Sequence, residues 1–195
     1  MTHWTDRPLA HHEETNVVFF RGISLDSLTR GLLDARRVPL AYGKGEEWGV
    51  IMHDMLGWDD GDYEPTAYGP LCADGGELVV FVTEPCIAKA HGPWFAYYRD
   101  GRLITFLTFE SPSDGGGAEP DLLLPALTAA RLAGPHADLE GDDVEERIAC
   151  AVAGFFGLPE LEMPEEAARA EGETQGDGAR RRGRSASASL RREVR

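Results

Sequence analysis

This chain of 195 residues is 42% hydrophobic and 9% aromatic, enough for a sizeable core, so wholesale disorder is excluded and one domain with tails is expected. Its longest strongly apolar run, residues 78–82, falls far short of the roughly 20 residues that span a bilayer. Seven arginines and one glutamate give residues 179–195 a charge of +6, leaving 12 basic and 33 acidic groups (−21) on the rest, a body that repels nucleic acid and anionic membranes.

Residues 1–15 read as a flexible leader without the apolar stretch of a secretory signal. Val17-Val18-Phe19-Phe20 is a short run of strand type, ended by Arg21-Gly22. Ser24 is placed to cap a helix over 25–35, with Asp26 in its first turn and Leu25, Leu28 and Leu32 on one face. Pro39, Gly43 and Gly45 break the chain before a strand at 48–53, WGVIMH. Residues 54–76 lack periodicity and read as a long loop, a kind of segment that often carries function. A strand at 78–83, LVVFVT, is apolar enough to be central in a sheet.

Residues 94–110, WFAYYRDGRLITFLTFE, form the clearest local signal. Asp100-Gly101 between apolar runs predicts a hairpin closed by a type I′ turn. A two-residue register sets Tyr98 opposite Leu103, Tyr97 opposite Ile104, Phe95 opposite Phe106 and Trp94 opposite Leu107. Both faces of the hairpin are then apolar, and a covering layer is expected on each. Arg99 and Arg102 stand opposite one another, a mildly unfavourable pair unless a carboxylate or a bound anion meets them.

The linker SPSDGGGAEP precedes a helix at 121–133, with Pro120 suited to its first position and Gly134-Pro135 ending it. A further helix begins at Asp142, with Glu145 as its capping-box partner and Val144, Ile148, Val152, Phe155 and Phe156 on the buried face. Gly157 and Pro159 stop it. The chain thus divides into a leader (1–15), one domain (16–163) and a disordered tail (164–195), basic from 179.

Chemistry is less legible. Cys86 and His91 lie within six residues, and a thiolate with a nearby base would make a nucleophile, although no orienting acid is identifiable. Cys72, Cys86 and His91 lack the paired-cysteine knuckle of a zinc site, so no metal and no cofactor is assigned. Three scattered cysteines are no disulfide framework, and a reduced cytoplasm is expected. Trp58, Asp59, Asp60, Asp62 and Tyr63 combine carboxylates with aromatic rings, a composition suited to a cationic ligand. The arginine tail has charges for nucleic acid but no aromatic for base stacking. With only two lysines against seventeen arginines, its composition also fits the coding bias of a high-GC genome. Walker A, GxGxxG, HExxH and GxSxG patterns are all absent from the sequence.

The ordered landmarks VVFFRGISLDSL, WGVIMHD, YRDGRLITFLTFE and FFGLP resemble a family of small actinobacterial proteins, a domain of unknown function, over residues 15–160. The resemblance implies a shared fold and transfers no catalytic residue. The expected architecture is α+β, a mainly antiparallel sheet of about five strands with three helices packed on it. The expected function is a non-enzymatic protein-interaction or regulatory module with a basic partner. The alternatives are an enzyme using Cys86 and His91, and weak nucleic-acid binding through the tail. Convergence of Trp58, His53 and His91 on one cleft would favour the enzyme.

Overall fold

A computed structural model describes residues 15–57, 65–82 and 92–161. The chain divides into two units, Met1–Glu162 and Met163–Arg195, and every described residue lies in the first. In it, six strands form one antiparallel sheet: β1 (Thr15–Arg21), β2 (Pro39–Lys44), β3 (Gly49–Asp54), β4 (Glu77–Val82), β5 (Trp94–Arg99) and β6 (Arg102–Thr108). Their spatial order is β2-β3-β1-β4-β5-β6. Three helices, α1 (Leu25–Asp34), α2 (Leu124–Ala129) and α3 (Val144–Phe156), complete the α+β architecture. No helix among the described residues is long and apolar enough to cross a membrane.

The unbroken apolar runs of β1 and β4 are explained by burial on both faces. Val17, Phe19, Val79 and Phe81 join Leu127 of α2 and Ile148, Ala149 and Val152 of α3 in one core. The alternate residues Val18, Phe20, Leu78 and Val80 join Leu28 and Leu32 of α1 in a second core. Ser24 caps α1 as its sequence position requires, accepting a bond from the Ser27 N–H at 3.1 Å.

Strand β2 is the element that local signals hid. Pro39 and Gly43 read as breakers, yet proline is acceptable at the first residue of an edge strand, where no neighbour needs its N–H. Proline, a register irregularity between Pro39 and Ala41, and Lys44 are also the devices by which edges resist unwanted pairing. The opposite edge is covered by the linker. Phe106 and Gly116 exchange both backbone bonds at 3.0 Å, and Glu119 N–H donates to Ile104 O at 2.7 Å.

The hairpin turn forms as expected, with φ of 50° at Asp100 and 76° at Gly101. Its register departs from the simple reading beyond Leu103. A bulge inserts Ile104, so Thr105 lies opposite Tyr97, Phe106 opposite Ala96, Leu107 opposite Phe95 and Thr108 opposite Trp94. Because one extra residue inverts every later side chain, Leu107 is buried beside Phe95 and Phe106 turns outward.

Helix α2 is shorter than expected at both ends. The chain reaches Pro120 still extended along β6 and needs the turns around Asp121 before a helix can start, with Pro125 in the first turn. Arg131, at φ 57°, ends it early and turns Leu132 and Ala133 into the core. At α3 the expected capping box does not form: Asp143 is the cap residue and makes no side-chain cap bond. Phe155 is also 42% exposed, at the rim of a face occupied by Ile148, Ala149 and Val152. Gly157 closes the helix at φ 64°, with Leu158 N–H donating to Ala153 O at 2.9 Å.

Candidate functional site

At one end of the sheet, β3, β1, β4 and β5 place His53, Asn16, Val82 and Trp94 in a cross-strand row on the α1 face. The segment before the short 3-10 turn at Gly69–Cys72 lays Tyr68 over that row. Asn16, His53 and Tyr68 are all buried, in a layer otherwise made of aliphatic and aromatic side chains. A polar group buried there without a partner costs about 1–3 kcal/mol, so the hydrogen bonds decide whether the cluster is tolerable.

The bonds have a single consistent polarity. His53 Nδ1 lies 2.8 Å from the Asp54 carbonyl oxygen, which can only accept, so Nδ1 carries a proton. The Tyr68 hydroxyl lies 3.0 Å from Nε2 and, with its oxygen taking the bonds of Asn16 and Thr66, has its own proton to direct there. With its proton committed, the Tyr68 oxygen accepts from Asn16 Nδ2 at 2.9 Å. Thr66 also bonds to the Tyr68 hydroxyl and itself accepts from Arg37 Nε at 2.9 Å. Burial holds the Tyr68 phenol above its ordinary range, against the opposing pull of Asn16 and Thr66, so it stays protonated. The remaining atom, Asn16 Oδ1, is buried and has no hydrogen-bond partner among the described residues.

The other end of the sheet carries a charge ladder. Arg21, Glu77, Arg99 and Arg102 stand opposite one another across β1, β4, β5 and β6. Arg21 clasps Glu77 with two bonds of 2.9 and 3.0 Å and lies 4.5 Å from the centre of the Trp48 ring. The Tyr97 hydroxyl donates to the same carboxylate. Burial pushes the Glu77 carboxyl up, but the bonds from Arg21 and Tyr97 outweigh it and hold the group below its ordinary value. Glu119, from the linker along β6, meets Arg99 at 3.2 Å. Arg99 of the arginine pair thus finds an acidic group of its own chain. The turn itself is tied down, with Asp100 N–H donating to Gly76 O at 2.9 Å and Gly101 N–H to Cys72 O at 3.2 Å.

No family model, curated protein or solved structure matches this chain. Trp58, Asp59, Asp60, Asp62, Tyr63, Cys86 and His91 lie outside the described residues, as do residues 1–14 of the leader and the tail, whereas Thr15, read as the end of the leader, opens β1. Of the three groups whose convergence would favour an enzyme, only His53 is described, and it is fully buried. Cys72 is buried too, its thiol pushed up by burial and donating to Gly69 O at 3.4 Å.

Sequence reasoning passed over Asn16 and Tyr68. The first hides at the head of an apolar run and the second inside an aperiodic loop. One signal was available: Asn16 is the only asparagine in the chain, and it opens a strand whose next four residues are apolar.

Proposed function

We propose that this protein is a cytoplasmic, non-enzymatic interaction or regulatory module that docks a basic protein partner. The observation that supports this reading is the segment 138–146, where Asp138, Glu140, Asp142, Asp143, Glu145 and Glu146 are exposed in the same short stretch as Leu139, itself 42% exposed. The segment is a fixed platform. Asp138 N–H donates to Arg131 O at 2.8 Å, and the Arg147 guanidinium donates to Asp138 O at 3.1 Å and Ala130 O at 3.2 Å. The acids at the start of α3 also suit the helix dipole, which accounts for their tolerance without accounting for Asp138, Glu140 or the exposed Leu139. Six exposed carboxylates in one short stretch with an exposed leucine fit a partner that pairs arginines or lysines with a hydrophobic anchor. The −21 charge of residues 1–178 would speed the approach of such a partner and repel acidic ones.

The test uses the full chain and a synthetic oligo-arginine peptide carrying one leucine. Binding measured by calorimetry should weaken steeply with salt. It should also fall by about tenfold, close to 1.4 kcal/mol, when Asp142, Asp143, Glu145 and Glu146 are changed together to their amides. Equal binding by the wild-type and neutralised chains would refute this assignment of the surface.

A further inference from the structure

Beyond the acidic platform, we infer that the outer edge of β6 is a latent pairing surface for a second copy of this chain, held shut by the strap 113–119. The inference starts from how lightly the strap is held. None of residues 113–119 is buried. Among the described residues, its hold on β6 is the paired backbone bonds of Phe106 and Gly116, Ala118 N–H donating to Leu103 O at 3.3 Å, and Glu119 N–H donating to Ile104 O. One half-exposed ion pair, from Glu119 to Arg99, completes it. A small cleft lined by Ser113, Gly115, Leu124 and Leu127 lies between the strap and α2. Exposed backbone bonds with few apolar contacts mark a segment that opens locally, well below the free energy of global unfolding. Glycine lets the strap lie this close, since a β-carbon on Gly117, at φ 107°, would come within 2.5 Å of Ile104 O.

The edge beneath the strap selects what would take its place. Strand β2 guards its own edge with Pro39, a register irregularity and Lys44. Strand β6, RLITFLT, has neither proline nor lysine and is rich in strand-forming residues, so it relies on its cover. Its outward groups include Phe106 N–H, Phe106 O and Ile104 O, and the strap takes all three. Two β6 strands paired antiparallel about a two-fold at Thr105 would set Ile104 of each copy opposite Phe106 of the other, the same residues that now bond the strap. Leu103 then meets Leu107 and Arg102 meets Thr108, so no like charges are directly opposed. The edge is therefore self-complementary, and a second copy fits it. The net charge of −15 on each chain opposes this pairing at low salt, so strap and charge together keep the copies apart.

The experiment uses the full chain at high salt, where that repulsion is screened. Gly117→Val cannot keep the strap seated, and it should double the mass measured by light scattering at concentrations where the wild type is a monomer. The Phe106 amide reports where the copies meet. In the Gly117→Val dimer it should be protected from hydrogen exchange, and it should lose that protection on dilution. A variant no heavier than the wild type, or a dimer whose Phe106 amide exchanges freely, would overturn the proposal. Inserting Gly-Ser-Gly-Ser after Gly116 breaks the strap's register without a clash, a change that exposed loops tolerate. It should give the same doubling, and a monomer there overturns the proposal even where Gly117→Val does not fold. In the wild type, the Gly116, Ala118 and Glu119 amides should exchange together, at least about a hundredfold faster than those of β4. Their exchange only on global unfolding would likewise overturn it.

Discussion

Changing Tyr68 to Phe removes one oxygen atom and nothing else from the centre of the buried cluster. The ring keeps its place between His53 and Tyr98, with centroids 5.9 and 5.8 Å away, so apolar packing is preserved. What is lost is the partner that His53 Nε2 and Asn16 Nδ2 share, at 3.0 and 2.9 Å, and that Thr66 also bonds. His53 and Asn16 are buried, and leaving a buried polar group unpaired costs about 1–3 kcal/mol, so the change should destabilise the domain by roughly 2–6 kcal/mol. For a domain of this size that is a fall in melting temperature of about 4–24 °C. Urea unfolding should show a lower midpoint at an unchanged slope, the mark of lost stability without a change in compactness. Adding Asn16→Leu should recover part of the loss, because the stranded donor is then gone, giving a coupling energy of about 1 kcal/mol in the double-mutant cycle. A Tyr68→Phe loss within the experimental scatter of the wild type would refute the reasoning. So would strict additivity of the two changes.

Two other outcomes follow from the charge ladder. The Glu77 carboxyl sits below its ordinary value of 4.5, so its contribution is present above that pH and is lost as the pH falls through the depressed value. Glu77→Gln should therefore flatten the acid limb of melting temperature against pH, and an unchanged limb would count against the ladder. Arg102→Glu should stabilise the hairpin by about 0.2–1 kcal/mol, because it replaces a like-charged neighbour of Arg99 with an opposite one. Urea titration of the two proteins at low salt checks this, and a loss of stability would contradict it.

Much of the architecture was written locally. Ser24 caps its helix and Gly157 ends another because a side-chain oxygen and a left-handed turn act within a few residues of themselves. Asp100-Gly101 closes its hairpin for the same reason. The bulge at Ile104 is different. It shows only once Tyr97 and Tyr98 have chosen their partners across the pair, and it moves Phe106 and Leu107 to faces that alternation would have denied them. Strand β2 likewise looks like a break until the sheet supplies an edge on which Pro39 costs little.

The polar cluster lies furthest from local reach. Asn16 is 52 residues from Tyr68, and Tyr68 is 15 from His53. No spacing rule joins a strand opening, a strand end and an aperiodic loop. The amino-acid order alone established an acidic α+β chain with a basic tail and apolar strands that need cover on both faces, because composition, periodicity and turn chemistry act over short stretches. Folding settled which polar groups would be buried together, and with what bond polarity, because those depend on distances the chain acquires only once its sheet has formed.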